Sequence, residues 1–282
     1  MQPMPRDLPH DFAIALARRA DRLGGFASRV EWYESLPSTN DVADRMAAAG
    51  AAHGTVVSAE SQQSGRGRLG RSWHSPPGAG LYVSVVLRPV EIFGGAAVDS
   101  LFGASWITLT AGVALAQALR RASGLPATIK WPNDLVVGLR KVCGILAEAS
   151  TMGGELRHTI LGFGVNVLAS SYPPEIADRA TSIEAELGRS ADRAEVFGES
   201  LATLAERLRQ LSTGGFEAIL ETWRTLSPTS KGCRVEIASS GGWAEAVTAG
   251  LDRDGALLVK AGDTVRRVVA GEVRWHSDGS RL

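Results

Sequence analysis

Apolar residues in the first part of the chain recur with two periods, one typical of helices and one of strands. Asp11–Leu23 carries them at helical spacing, and Ser38–Ala49 begins with a hydroxyl cap and stops at Gly50. Leu81–Arg88 has the two-residue period of a strand. Further helices are predicted over Leu101–Ala122, Ala191–Gln210 and Phe216–Leu226. Further strands are predicted over Val30–Leu36, Thr55–Glu60, Thr128–Trp131, Leu135–Val137, Val142–Ala149 and Thr159–Val167.

The pattern changes after Pro228 to short strands separated by tight turns. These strands are predicted over Arg234–Ile237, Ala244–Leu251, Ala256–Lys260 and Val265–Val273. The turns between them are predicted at Ser240–Gly242, Asp252–Gly255 and Gly262–Asp263. Such a series is typical of a small β-barrel. We therefore predict an α+β fold class, with one domain over residues 1–228 and a small barrel over residues 229–282.

Composition narrows the class of protein. Hydrophobic residues make up 44% of the 282 residues, which is enough for a folded core. The 30 basic and 30 acidic side chains balance, so no nucleic-acid or anionic-membrane surface is indicated. No uninterrupted apolar run reaches the roughly 20 residues that a membrane-spanning helix needs, and the start lacks the apolar core of a signal peptide.

The two cysteines and five histidines suggest neither a disulfide framework nor a metal site. Cys143 and Cys233 are far apart in sequence, which favours a reducing, cytoplasmic compartment. Cys143 lies in the middle of a predicted strand with no histidine nearby, so we expect a buried core residue rather than a nucleophile. The histidines are scattered without the spacing of metal ligands.

The segment 61–80 is rich in glycine and arginine and matches the pattern Gly-x-Gly-x-x-Gly at residues 65–70. A dinucleotide-binding fold would need a helix to begin there, but the prolines at 76 and 77 follow instead. No Walker loop and no kinase motif is present. Glycines expose backbone N–H groups, and Arg66, Arg68 and Arg71 add positive charge suited to phosphate. On its own, the segment fits a phosphate-binding loop and an exposed basic hairpin about equally well.

The chain contains only four lysines, at positions 130, 141, 231 and 260. Lys130 ends an apolar strand and precedes Trp131 and Pro132, so its ammonium should be fixed and partly desolvated. A fixed cation offsets the repulsion between two anionic reactants. The alternative is a purely structural ion pair with Asp134.

Several segments, taken in order, resemble the biotin protein ligase family, in its single-function type without an N-terminal DNA-binding domain. The resemblance is close over residues 32–167 and loose in the β-rich C-terminal part. The segments are Ser38–Asn40, Glu60–Gln62, Gly65–Trp73, Lys130–Asp134, Lys141–Glu148 and Gly162–Asn166. It implies a mixed β-sheet catalytic domain like that of class II aminoacyl-tRNA synthetases, followed by an SH3-like barrel.

The resemblance also implies the reaction. The carboxylate of biotin attacks the α-phosphate of Mg²⁺-ATP, and a lysine of a biotin carboxyl carrier protein, from acetyl-CoA carboxylase or another biotin-dependent carboxylase, then attacks the mixed anhydride. A homodimer through the sheet edge is implied as well. Too few residues precede the first motif for the winged helix that some members carry, so we expect no DNA binding.

Residue roles follow the family motifs. Catalytic roles fall to Lys130 and Arg68, and no residue is assigned to a metal. Biotin contacts are expected from Ser38, Thr39, Asn40, Gln62, Gly65, Arg66, Gly67, Arg68, Lys130 and Trp73. Nucleotide contacts are expected from Arg68, Arg71, Trp131, Asn133, Asp134, Lys141 and Asn166.

For some of these residues a structural role is the alternative. Ser38 and Thr39 could simply cap a helix, Asp134 could cap a turn rather than support Mg²⁺ indirectly, and Trp73 and Trp131 could pack in the core.

Three other functions compete with the ligase. A lipoate or octanoyl transferase would share the fold, but the intact Gly-Arg-Gly-Arg sequence argues against the octanoyl transferase, which needs no ATP. A DNA-binding repressor that senses biotin would need the N-terminal winged helix. A biotin-binding module without activity would not need several phosphate-facing motifs.

Overall fold

The computed structural model describes residues 4–94, 99–152, 155–239, 242–269 and 273–275. Its helices are α1 His10–Ala17, α2 Ala20–Leu23, α3 Thr39–Ala48, α4 Pro89–Phe93, α5 Ser100–Ser123, α6 Ile183–Leu187, α7 Arg193–Ser212 and α8 Phe216–Leu226. The strands of the large sheet are β1 Val30–Leu36, β2 Val56–Gln62, β3 Gly80–Leu87, β4 Thr128–Lys130, β5 Asp134–Val137, β6 Arg140–Met152 and β7 Glu155–Asn166. Those of the small sheet are β8 Lys231–Ser239, β9 Gly242–Leu251, β10 Leu257–Ala261, β11 Thr264–Val268 and β12 Val273–Trp275.

The large sheet is mixed, as the family resemblance implied, with strand order β1-β2-β3-β7-β6-β5-β4. β1 and β2 are parallel because α3 crosses over between them, and the other neighbours are antiparallel. β6 and β7 form the longest pair, from Cys143 opposite Val165 to Met152 opposite Glu155. This central hairpin carries the glycines on which the site is built.

Helix α5 packs on the large sheet and against α7 and α8, and it supplies much of the core. Trp106, Leu115 and Leu119 on this helix are fully buried. By length and composition alone, α5 could span a membrane. However, 67% of its most apolar window is buried inside the protein, as expected for a core helix.

The small sheet is antiparallel, with strand order β11-β10-β9-β8-β12. It follows a short turn at Pro228–Ser230. Its buried residues Val235, Leu257 and Val259 belong to the same hydrophobic cluster as the large sheet and α5. The two sheets therefore share one continuous core.

The predicted elements and the observed ones differ in a few places. The predicted helix over residues 11–23 is two helices, because the chain turns at Arg18 and Arg19. Helices α4 and α6, of five residues each, were not predicted, since so short a segment shows no period. The predicted last strand is observed as β11 and β12, and residues 270–272 between them lie outside the described residues. So do Ser240 and Gly241 of a predicted turn.

Candidate active site

A pocket lies where the start of α3, the end of β2 and the loop between β2 and β3 meet the central strands β6 and β7. Its enclosed volume is about 50 Å³. Of the predicted site residues, those on its wall are Ser38, Thr39, Asn40, Gln62, Arg66, Gly67, Arg68, Trp73, Asn133 and Lys141. The sequence motifs, distant along the chain, thus converge on one cleft.

The N-terminus of α3 is capped by a side chain from strand β2. Gln62, the last residue of β2, accepts hydrogen bonds at Oε1 from Thr39 N at 2.9 Å and from Thr39 Oγ1 at 3.1 Å. Ser38 occupies the N-cap position, but its side chain makes no capping hydrogen bond, which corrects the prediction of a hydroxyl cap. The Gln62 amide also donates from Nε2 to Ser75 Oγ at 3.0 Å. Gln62 therefore ties α3 to the segment leading into β3.

A polar cluster on β3, α3 and β6 fixes the orientation of Asn40. Ser84 Oγ lies 2.5 Å from Asn40 Oδ1 and 2.7 Å from Thr39 Oγ1. Asn40 Nδ2 donates to Glu148 Oε2 at 2.5 Å. Ser84, Thr39 and Asn40 are all buried. A satisfied, buried network of this kind holds its members in fixed rotamers, which suits recognition of a polar head group.

The floor of the pocket consists of three glycines on the central strands, Gly144, Gly162 and Gly164. Gly144 and Gly164 face each other across the β6–β7 ladder. A Cβ on Gly164 would lie 2.4 Å from Trp73 Nε1, and one on Gly162 would lie 2.3 Å from Asn40 Oδ1. Only glycine leaves room for these side chains, as expected where another group approaches a strand closely.

Sequence reasoning did not assign the floor glycines to the site, nor their neighbours on the wall. The additional wall residues are Val83, Gly144, Ile145, Leu146, Gly162, Phe163 and Gly164. A usable indication was present, because Gly162 and Gly164 are two residues apart in a predicted strand. That spacing places both glycines on the same face of the sheet, and this part of the face therefore carries no side chains.

Residues Gly65–Trp73, here called the arginine loop, form a tight hairpin over the pocket. Gly67 N donates to Arg71 O at 2.7 Å, and Trp73 N donates to Gly65 O at 2.8 Å. At the tip, Leu69 is 68% exposed and has a positive φ of 57°. A non-glycine residue rarely adopts this conformation, so the tip is strained.

The arginine loop is attached to the rest of the pocket mainly by two of its arginines. Arg66 pairs with Asp41 at 2.7 Å and with Glu148 at 2.8 Å. Arg68 Nη1 donates to Asn133 Oδ1 at 3.3 Å. Arg66 is thus neutralised by two carboxylates, whereas the hydrogen-bond partner of Arg68 is a neutral amide. Of these two arginines, Arg68 therefore has more charge to offer a ligand.

Three cations are gathered around Asp134 beside the pocket. Lys141 Nζ lies 2.5 Å from Asp134 Oδ1, and Lys130 is the register partner of Asp134 across β4 and β5. Burial lowers the pKa of Lys130, an effect that Asp134 opposes and Lys141 reinforces. Burial likewise lowers the pKa of Arg68, against the attraction of Asp134. Three cations around one carboxylate leave an excess of positive charge, which is suited to binding anions.

Trp73 lies flat over the glycine floor, with Lys141 Nζ 5.2 Å from the centre of its ring. Its indole Nε1 is buried and has no hydrogen-bond partner among the described residues. Buried donors are usually paired, so this unpaired N–H stands out. Trp73 lines the pocket, and its contact with a ligand stays a prediction.

Several predicted residues do not line the pocket, and their roles stay predictions. Trp131 is 3% exposed and donates from Nε1 to Gly255 O at 3.2 Å, so its ring packs in the core. Asn166 is also buried and donates to Thr181 O. The other residues of this group are Gly65, Arg71, Lys130 and Asp134.

Cys143 is fully buried in the core, which confirms that prediction. Burial raises the pKa of its thiol, so the thiolate needed for nucleophilic attack is disfavoured.

Residues 32–166 match the model of the biotin/lipoate A/B protein ligase family. The bifunctional ligase/repressor BirA of Bacillus subtilis (strain 168) is 32% identical over 244 residues, which are 86% of this chain and 72% of that protein. The biotin--[acetyl-CoA-carboxylase] ligase of Paracoccus denitrificans is 34% identical over 245 residues, covering 84% of this chain and 96% of that protein.

Solved structures give the same picture. The biotin protein ligase of Aquifex aeolicus, in complex with biotin and ATP, superposes with a TM-score of 0.75 at 29% identity. The superposition covers 88% of this chain and 100% of that chain.

Proposed function

This chain belongs to the biotin/lipoate A/B protein ligase family, and we propose that within this family it is a biotin protein ligase. It activates biotin with ATP to biotinyl-5′-AMP and pyrophosphate, and it then transfers biotin to a lysine of a biotin carboxyl carrier protein. Relatives named as ligases of acetyl-CoA carboxylase point to the carrier part of that enzyme as the acceptor.

The observation that carries the proposal is the composition of a single cleft. One side is a glycine floor flanked by the fixed polar groups of Thr39 and Asn40. The other side is the cationic group of Arg68 and Lys141. Once the Trp73 ring moves off the glycines, a flat bicyclic ring with a polar head fits the first side, and a carboxylate next to a phosphate fits the second.

The first half-reaction brings two anions together. A carboxylate oxygen of biotin attacks the α-phosphorus of ATP, and the bond from that phosphorus to the β-phosphate bridging oxygen breaks to release pyrophosphate. Arg68 and Lys141 on the wall, with Lys130 behind them, offset the repulsion and stabilise the charge that develops. The protein acts by orientation and charge neutralisation, without a covalent nucleophile.

The second half-reaction is an aminolysis. The amine of the carrier lysine attacks the acyl carbon of the adenylate, the bond to the phosphate oxygen breaks, and AMP leaves. Exclusion of water protects the mixed anhydride until the carrier arrives. We assign this protection to the arginine loop, which already lies over the pocket through Arg66 and Trp73.

The position of Trp73 supports a mobile role for the arginine loop. Its ring fills the space directly over the floor, because a Cβ on Gly164 would lie 2.4 Å from Trp73 Nε1. The loop, with its strained residue Leu69, therefore has to rearrange to admit biotin to the floor. Closure over the adenylate would then complete a lid.

Mg²⁺ is proposed as the companion of ATP. Among the described residues, no three His, Cys, Asp or Glu side chains come together to hold a metal. Mg²⁺ usually keeps several waters and binds through one or two carboxylates plus substrate phosphates. Asp134 is the carboxylate beside the cations, and it would meet the ion through water because it already pairs with Lys141.

Finer features of the family are proposed with the same activity. The large sheet corresponds to a catalytic domain like that of class II aminoacyl-tRNA synthetases, over residues 1–228, and the small sheet to an SH3-like barrel, over residues 229–282. A homodimer, a cytoplasmic location and the absence of specific DNA binding belong to the same proposal.

Release of pyrophosphate tests the proposal. With biotin, ATP and Mg²⁺ we expect release that depends on biotin and that lipoate or octanoate does not support. A lipoate or octanoyl transferase is the alternative within the family. Pyrophosphate release with lipoate in place of biotin would favour the lipoate enzyme, and transfer of an octanoyl group without ATP would favour the octanoyl transferase.

Replacing Gly164 with alanine is expected to weaken biotin binding about tenfold or more, since overpacking typically costs about 1–3 kcal/mol. The new Cβ would project from the floor to within 2.4 Å of the position of Trp73 Nε1, into the space that the ring of biotin needs. Titration calorimetry with biotin measures the effect. Gly25→Ala is the matched control, because a Cβ there meets nothing within 4 Å. Equal affinity of the Gly164→Ala variant and the control would refute the assigned floor.

Replacing Arg68 with glycine is expected to loosen the adenylate more than it slows its synthesis. Ordering a loop costs about 1 kcal/mol per residue, which a tightly held phosphate can offset, and Arg68 supplies the forked contact. Released adenylate would acylate nearby lysines indiscriminately. The measurement is biotin found on an unrelated lysine-rich protein, at matched pyrophosphate output. Arg29→Gly, an exposed arginine off the pocket wall, is the control. If labelling did not exceed that of this control, Arg68 would not be the residue that retains the adenylate.

A further inference from the structure

The small sheet contacts Lys130 directly. Lys130 Nζ lies 5.6 Å from the centre of the Trp275 ring, within range of a cation–π interaction. Trp275 is the last residue of β12, where it pairs with Val235 of β8. Its side chain is half-buried against the shared core. The ring is therefore held by the small sheet while its face is presented to a side chain of the large sheet.

A second contact joins the small sheet to the neighbouring residue. Trp131 Nε1 donates to Gly255 O, in the turn between β9 and β10. Gly255 has a positive φ of 80°, and a Cβ there would lie 2.2 Å from Leu109 Cδ1 on α5. This close approach fixes where the turn sits. The small sheet thus contacts both Lys130 and Trp131, at two points far apart in its own sequence.

We propose that Trp275 is a positioning residue for Lys130, and that the small sheet takes part in anion binding through this contact. The proposal rests on the ligase function proposed above, since it assigns Lys130 to the cationic side of that site. Nothing in the ligase reaction itself requires a tryptophan at position 275.

The physical argument concerns a flexible cation among other charges. A lysine ammonium turns on a four-carbon stem, so it needs partners to hold it in one place. Asp134 on β5 attracts Lys130, and Lys141 on β6 repels it. Lys141 is itself paired with Asp134, so the carboxylate is shared. The face of the Trp275 ring supplies a further attraction and fixes the position of the ammonium.

Chemical labelling tests the contact without relying on activity. The chain has four lysines, so the rate at which an amine-reactive ester modifies each can be followed by mass spectrometry. Trp275→Leu keeps apolar cover but removes the π face, which raises the fraction of neutral amine. We expect labelling of Lys130 to rise about threefold or more in Trp275→Leu, and to stay near the parent rate in Trp275→Phe. Exposed Lys260 is the internal reference.

Trp243→Leu is the matched control, because Trp243 lies in the same sheet and stacks with Arg274 at 3.7 Å rather than with Lys130. An equal rise of Lys130 labelling in this control, or a rise at all four lysines, would overturn the proposal in favour of a general loosening of the sheet. Unchanged Lys130 labelling in Trp275→Leu would overturn it as well.

A double-mutant cycle on ATP affinity separates positioning from direct contact with the nucleotide. If Trp275 acts through Lys130, Trp275→Leu weakens ATP binding in the parent but has no further effect in the Lys130→Met background. Additive effects would overturn the proposal. Because labelling and ATP binding need no turnover, failure of the parent to release pyrophosphate with biotin would refute the ligase function and leave these readouts interpretable.

Discussion

Replacing Lys141 with methionine is expected to lower the rate of biotin-dependent pyrophosphate release by about 100- to 1000-fold, the range seen when one donor to a developing charge is removed. Lys141 is the lysine on the pocket wall, and it pairs with Asp134 at 2.5 Å. Methionine keeps the length of the side chain but removes the ion-pair partner of Asp134 and one positive charge beside two anionic substrates. Single-turnover formation of the adenylate measures the effect.

The Lys141→Met/Asp134→Asn double variant is the control for misfolding. It also replaces the Asp134 carboxylate, which has lost its ion-pair partner. Thermal stability should therefore return towards that of the parent, while adenylate formation stays low. Full recovery of the rate in the double variant would mean that Lys141 only neutralises Asp134 and contributes no stabilisation to the reaction.

Replacing Lys130 with alanine is expected to abolish adenylate formation while leaving the fold intact. Lys130 does not line the pocket, but it is the register partner of Asp134 and one of three cations attracted to that carboxylate. Removing it takes a positive charge from a site that must hold two anions, with a cost of a size comparable to that of a lost oxyanion donor. Pyrophosphate release is the measurement, and Lys260→Ala, on an exposed lysine, is the control.

The two lysine variants together decide between two accounts of the cationic site. The sequence predicted Lys130 as the catalytic lysine, whereas the structure places Lys141 on the pocket wall. A near-normal rate for Lys130→Ala with a large loss for Lys141→Met would remove Lys130 from the chemistry. It would also leave Trp275 without a role in the reaction.

Most helices and strands could be predicted because their side-chain periods are strong. Helix α8 has the predicted bounds Phe216–Leu226, since Ile219, Leu220 and Trp223 recur on one buried face. For the glycine- and arginine-rich segment the sequence left a phosphate-binding loop and an exposed basic hairpin as alternatives, and it did not predict how the segment folds over the pocket. Its shape depends on backbone bonds, such as that from Gly67 to Arg71, that no period encodes.

The parts that could not be predicted depend on contacts between distant residues. The cap of α3 comes from Gln62 on a neighbouring strand, so a local reading assigned it to Ser38. Lys130 contacts Trp275, which lies on a different sheet, and no local pattern in the sequence indicates that contact. Residue type thus identified the chemistry, whereas the packing of the two sheets decides which side chain faces the ligand.

The central claim is that the protein joins biotin to one lysine of a carrier protein at the expense of ATP. The most direct measurement is the intact mass of an isolated biotin carboxyl carrier domain after incubation with the protein, biotin, ATP and Mg²⁺. We expect the mass to increase by a single biotinyl group, and a carrier with its acceptor lysine replaced by arginine to remain unchanged. An unmodified carrier, or a gain that persists without ATP, would contradict the account.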